Sequence, residues 1–168
     1  LAKALKFLEK IGMDYVATHE AELTAYALTK LTKIPKIEVY GNPNPSQAAN
    51  RLGVIPFNVV GVPHGLVSAI LSTEWGIGVR SGCFCAHPYV IHLLGVSRAE
   101  IERFAHDMTH DDRSQIPGVV RVSFGIYNTT AEIDALCEAL KAIAAGKYRG
   151  KYQQEKTSGE YYALGWNP

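Results

Sequence analysis

A chain of 168 residues, 47% hydrophobic and 20% charged, is long enough to bury a core and too apolar for disorder. Its formal charge of +1 exerts no long-range pull on nucleic acid or an anionic membrane, and it has no run of about eighteen apolar residues to span a bilayer. Three cysteines, an odd and low count, argue against an extracellular disulfide framework and for a reducing, cytoplasmic setting. No signal peptide is recognisable, and a start at Leu1 rather than Met leads us to expect a natural N-terminus further upstream.

In chain order, "LAKALKFLEKIG" puts Leu1, Leu5 and Leu8 on one helical face and closes at Gly12. A longer helix is expected from about Asp14, with Val16, Leu23, Ala27 and Leu31 as its buried stripe and Pro35 as its stop. "KIEVYG" reads as a short strand and "NPNPSQAAN" as a turn-rich loop. "RLGVIPFNVVG" reads as a central strand in which Pro56 implies an edge or a bulge. "PHGLVSAILSTEWG" returns to helical spacing, and "IGVR" is a third strand running into "SGCFCAHP".

Two short helices, "YVIHLLG" and "SRAEIERFAHDM", come next, the second with Ser97 and Glu100 at capping-box spacing. After the polar "THDDRSQIPG", the strand "VVRVSFGIY" puts Arg121 and Ser123 on one face and Val120, Val122 and Phe124 on the other. "TTAEIDALCEALKAIAAG" is the closing helix, capped by Thr129 or Thr130, with Cys137 in its apolar stripe. The tail 146–168 is polar yet holds Tyr148, Tyr152, Tyr161, Tyr162 and Trp166, so part of it should dock on something. This order suits a two-layer α+β domain with a small, mainly antiparallel sheet, and no internal repeat is visible.

The chemistry concentrates in "RSGCFCAHP", residues 80–88. Cys83 and Cys85 are too close for an unstrained disulfide in one extended segment. A zinc site would take Cys83, Cys85 and His87 and would still need His92, His106 or His110, at no familiar spacing. Cys85 lies on a loop after a strand, ahead of Pro88, where a helix can begin; Arg80 lies five residues upstream. Positive partners and a helix start favour the thiolate, so on local physics Cys85 is either a nucleophile or a small structural residue.

"RSGCFCAHP" resembles the active-site loop of the SufS-like cysteine desulfurases, which are class V, fold-type I enzymes dependent on pyridoxal 5'-phosphate (PLP). "VRVSFGIYNTTAEIDAL" resembles the strand and closing helix of the same family, and "HEAELTAYALTKL" and "NRLGVIPFNV" resemble its preceding helix and strand. The resemblance runs over about residues 1–145 and implies the small C-terminal domain of such an enzyme. It places the persulfide-carrying thiol on Cys85, the carboxylate-holding guanidinium on Arg121 and a second substrate-side arginine on Arg80. The implied reaction takes L-cysteine to L-alanine, with the cofactor as electron sink and sulfur passing from the enzyme thiolate to an acceptor.

The same resemblance implies that PLP is held by a large domain upstream of Leu1, because nothing here resembles the family's lysine motif. Lys30, Lys33 and Lys36 read as solvated charges. Alone, the fragment is expected to be inactive, and the parent to be a homodimer with the tail and the first helix packed on the missing domain or a second subunit. "GCFC" and the longer stretch 92–118 resemble instead the domain that sulfurates the molybdenum cofactor. That leaves the sulfur acceptor open, with His106, His110, Asp111 and Asp112 as either an acceptor surface or a solvated loop. His64 and His87 are similarly open, near the site or in satisfied loops. Two further readings stay in view: a class V aminotransferase or epimerase without sulfur chemistry, and a metal- or protein-binding module.

Overall fold

The computed structural model describes residues 1–165. Four strands, β1 (Ile37–Val39), β2 (Val54–Val59), β3 (Arg80–Gly82) and β4 (Val119–Ser123), form one sheet in the spatial order β1–β2–β4–β3, every neighbouring pair antiparallel. Alternation along the strands gives the sheet two faces. On the inner face Ile55, Phe57, Val59, Val120 and Val122 are buried against helices α2 (Met13–Leu31), α3 (His64–Trp75) and α6 (Thr130–Ala144). Those helices contribute Leu23, Ala27, Leu28 and Leu31, then Val67, Ile70 and Leu71, then Ile133, Leu136 and Leu140. The α+β architecture is therefore as the sequence implies.

Local departures have physical causes. Val16 is half-buried, because the buried residues of α2 begin only at Leu23. Pro56 marks neither an edge nor a bulge: β2 is central and its register is continuous on both sides. The Pro56 carbonyl accepts from the Tyr40 N–H just past the end of β1, so the missing proline donor points to that same side and takes nothing from the β4 ladder. The third strand starts at Arg80 rather than Ile77. Gly76, left-handed at φ 64, ends α3, and the Ile77 N–H turns back to the Leu71 carbonyl to complete the cap.

Helix α1 (Ala2–Ile11) buries no residue, with Leu1, Leu5 and Phe7 exposed. Helix α4 (His87–Leu93) lies on the outer face of the sheet, where Cys83, Val90 and Val119 form a second small cluster with Tyr40, Phe84, Leu94 and Ile116. Helix α5 (Arg98–Thr109) carries the expected capping box, Ser97 and Glu100 bonding reciprocally, and buries no residue.

The tail does dock, and on its own chain. Strands β5 (Tyr152–Gln154) and β6 (Tyr161–Ala163) form a hairpin against α3. The Glu74 carboxylate accepts from the N–H groups of Arg149 and Gly150 and from the Tyr152 hydroxyl. Burial alone would push the Glu74 carboxyl up, but these donors outweigh it and hold it below its ordinary value. Burial, then the hydrogen bond to Glu74 and its charge, pushes the Tyr152 phenol up to about 12. At the other end the Arg113 N–H and guanidinium donate to the Lys156 and Thr157 carbonyls. Trp166 lies outside the described residues.

Candidate active site on the outer sheet face

Arg80 and Arg121 lie directly opposite each other in the β3–β4 register, so their side chains leave the same face of the sheet. Pro56 faces Arg121 from β2, giving the row Tyr40, Pro56, Arg121, Arg80. Two like charges in direct opposition are unfavourable, and among the described residues neither arginine forms an ion pair with a carboxylate. An arginine spent on a surface acid is thereby ruled out for the described chain. The Nε of Arg121 is buried and has no hydrogen-bond acceptor. A buried guanidinium donor without an acceptor is costly, and it marks a place where an anion would be held.

The ring of Phe84 lies against both cations, 4.9 Å from the Arg121 guanidinium and 5.9 Å from that of Arg80. The loop that carries it leaves β3 at Gly82, whose φ of 104 only glycine adopts readily. Cys83 then turns inward. It is 7% exposed, its thiol donates to the Pro117 carbonyl at 3.0 Å, and burial raises its pKa. Cys85, two residues on, is exposed and unbridged. Phe84 and Cys85 both take left-handed backbone, φ 52 and 60, and the Ala86 N–H closes the turn on the Cys83 carbonyl at 2.8 Å. Helix α4 starts immediately afterwards with Pro88 in its first turn. The two thiols thus differ in kind: one is an anchor, the other is exposed on the loop, next in sequence to the Phe84 that covers the arginine pair. Cys137 is a buried core residue whose thiol burial pushes up.

The remaining candidates separate clearly. His64 packs under the β3–β4 connection; its Nε2 donates to the Ile116 carbonyl at 3.2 Å, and burial lowers its pKa. Gly118 fits between them because a Cβ there would stand 2.7 Å from both the Gly82 Cα and the His64 Nε2. His87 opens α4. His106 and His110 lie side by side at the exposed C-terminal end of α5, their rings tilted by 32° with centroids 4.4 Å apart. Asp112 serves the fold, accepting from the N–H and hydroxyl of Ser114. Among the described residues, no group of three His, Cys, Asp or Glu side chains is placed to hold a metal ion.

Sequence reasoning passed over Phe84 and Asn58. Asn58 projects from the same sheet face, donates to the Gly118 carbonyl at 3.1 Å, and leaves its Oδ1 buried and without a partner. Its signal was available as a polar residue in the outward phase of "IPFNV".

Beside this row, Tyr40, Arg51, Leu52, Pro56, Tyr89 and Leu93 line a shallow cavity of about 300 Å³. A larger cleft of about 700 Å³ lies elsewhere, between α3, the 113–116 loop and the tail hairpin, and includes neither Cys85 nor either arginine. No lysine lies on the elements that build the site: Lys30 pairs with Asp134 at 2.5 Å on the helical side, and Lys36 donates to the Ala144 carbonyl. The arginine pair suits a small carboxylate, and the exposed thiol lies on the loop that leaves β3. These residues do not suit a group that requires a covalent lysine anchor.

Comparison with known proteins agrees with the geometry. A family model described as "Aminotransferase class-V" matches residues 1–136. A probable cysteine desulfurase of Staphylococcus aureus (strain Mu50) is 39% identical over 142 residues, covering 84% of this chain and 28% of the relative. Its Staphylococcus epidermidis counterpart is 35% identical over a span of the same length. The apo structure of the cysteine desulfurase from Thermococcus onnurineus NA1 superposes with a TM-score of 0.64 at 28% identity, covering 84% of this chain and 29% of that one. The cysteine desulfurase CsdA of Escherichia coli, at 24% identity and a TM-score of 0.60, shares the fold. The chain spans under a third of the length of these relatives.

Proposed function

The chain belongs to the aminotransferase class-V family, and we propose that it is the C-terminal small domain, about residues 1–145 with its tail, of a PLP-dependent cysteine desulfurase or sulfurase. The observation that carries this reading is the unpaired Arg80–Arg121 couple with an exposed thiol on the adjoining loop. Arg121 grips the α-carboxylate of L-cysteine through two parallel N–H bonds, and Arg80 adds a second positive charge on the same face. That fixes the orientation of the substrate and brings its sulfur toward the loop.

Cys85, as thiolate, attacks the substrate sulfur. A sulfur–sulfur bond forms on Cys85 while the substrate's carbon–sulfur bond breaks. The electron pair of the broken bond goes to the carbon skeleton, which takes up a proton and leaves as L-alanine. The cofactor, when bound, supplies the electron sink that makes the carbon skeleton able to accept that pair. Its lysine anchor belongs to the large domain of the longer protein, so this chain alone is inactive. Cys83, bonded to Pro117, holds the loop rather than carrying sulfur. Exposure of Cys85 suits handing the persulfide to an acceptor protein, and the unpartnered apolar face of α1 suits packing on the large domain or the second subunit of a cytoplasmic homodimer.

The test uses the full-length protein. Alanine release from L-cysteine and a persulfide mapped to Cys85 are expected, with both abolished in Cys85→Ser and retained in Cys83→Ser. Undiminished alanine release by Cys85→Ser would refute the sulfur-carrier role and return the site to the aminotransferase or epimerase chemistry of the wider family.

A further inference from the structure

Building on the desulfurase reading, we infer that Phe84 is a positioning residue that acts as a latch. Its ring rests against the Arg80 and Arg121 guanidiniums where a substrate carboxylate would bind, and its displacement by that carboxylate frees Cys85 to move toward the substrate.

Three observations support this. First, two arginines in direct opposition need something between them, and no carboxylate of the described chain supplies it; the electron-rich face of an aromatic ring does so in neutral form. Second, the ring leaves the buried Nε of Arg121 without an acceptor. A carboxylate would satisfy that donor, so ring and carboxylate compete for one guanidinium and the carboxylate makes the stronger bond. Third, Phe84 and Cys85 are consecutive non-glycine residues in left-handed backbone, a conformation that persists only when the surroundings enforce it. The ring–arginine contacts are part of that enforcement, with the Cys83–Pro117 bond as the fixed end. Once the ring is displaced, the strained pair can relax, and the residue that moves next is the reactive thiol.

The latch places loop release after carboxylate recognition. A thiol that advances only after a carboxylate arrives is delivered to a substrate already seated.

The test compares Phe84→Leu, which keeps apolar bulk, with Phe84→Tyr, which keeps the ring, in the full-length protein. Two quantities are read: the rate of Cys85 alkylation by iodoacetamide without ligand, mapped by peptide mass, and the affinity for L-alanine by calorimetry. Phe84→Leu is expected to alkylate about fivefold faster and to bind L-alanine about fivefold tighter, the weight of one cation–π contact, with both changes reversed in Phe84→Tyr. Unchanged alkylation overturns the latch. Faster alkylation with weaker L-alanine binding identifies Phe84 as packing only, and also overturns it. Neither reading requires turnover, so a protein that forms no persulfide refutes the desulfurase proposal while leaving the latch testable.

Discussion

Replacing Arg121 with lysine in the full-length protein isolates what the guanidinium contributes beyond charge. The side chain projects from β4 opposite Arg80, with its Nε buried and free of any acceptor, so one edge of the fork is available to a carboxylate. Lysine keeps the positive charge but cannot present two parallel donors in a plane. Hydrogen bonds to charged groups contribute about 1.5–3 kcal/mol each, so losing one of two predicts a fall in kcat/KM of about 10- to 100-fold. On the proposed reading the carboxylate is gripped before and during the chemical step, so most of the loss should lie in KM. The assay is alanine release across an L-cysteine titration, with circular dichroism confirming the fold. Arg121→Met, which removes the charge as well, should lose more. A kcat/KM for Arg121→Lys within twofold of the unaltered protein would refute the carboxylate assignment.

Gly118→Ala should destabilise by about 1–3 kcal/mol, because its Cβ would meet the Gly82 backbone at 2.7 Å; an unchanged urea midpoint would refute this. The docked tail should be sensitive to acid. The Glu74 carboxyl is held below its ordinary value, so its contribution is complete above that value and fades as pH falls through the depressed folded one. Hydrogen exchange of the hairpin amides, corrected for intrinsic rate, should accelerate there, and in Glu74→Ala already at neutral pH. At the alkaline end, the Tyr152 phenol at about 12 predicts that stability is lost as pH rises from the ordinary tyrosine value through that point. Hairpin protection indifferent to both extremes would discount the Glu74–Tyr152 contact.

Elements with strong periodicity were legible in the sequence. α2, α3 and α6 announce themselves by stripes that become the inner core, the capping box at Ser97 marks one helix start, and of the two threonines open as caps for the last helix it is Thr129 that takes the place. The placement of Arg121 opposite to Val120 and Val122 follows from strand alternation alone. Other features depend on distant partners. Pro56 suggested an irregular strand because its missing donor is visible in sequence, whereas the early end of β1 that makes it harmless is not. The different fates of Cys83 and Cys85 follow from a carbonyl at Pro117, 34 positions away from Cys83. Phe84 drew no reading from sequence because its value lies in facing two cations that converge only when β3 and β4 pair. The tail signalled docking through its aromatic content, but its landing place on α3 rests on Glu74, a carboxylate that nothing in the local sequence links to a segment 75 positions on.

The link from Arg113 to Lys156 and Thr157 bears on where this unit may safely be cut. The family model matches residues 1–136, and an expression boundary drawn there would discard the hairpin as decoration. The segment it clasps leads within four residues to the Pro117 carbonyl on which Cys83 rests, so the hairpin turn at Lys156 and Thr157 braces the base of the reactive loop. A protein trimmed to the family border would keep every residue named in the chemistry and lose the strut beneath one of them.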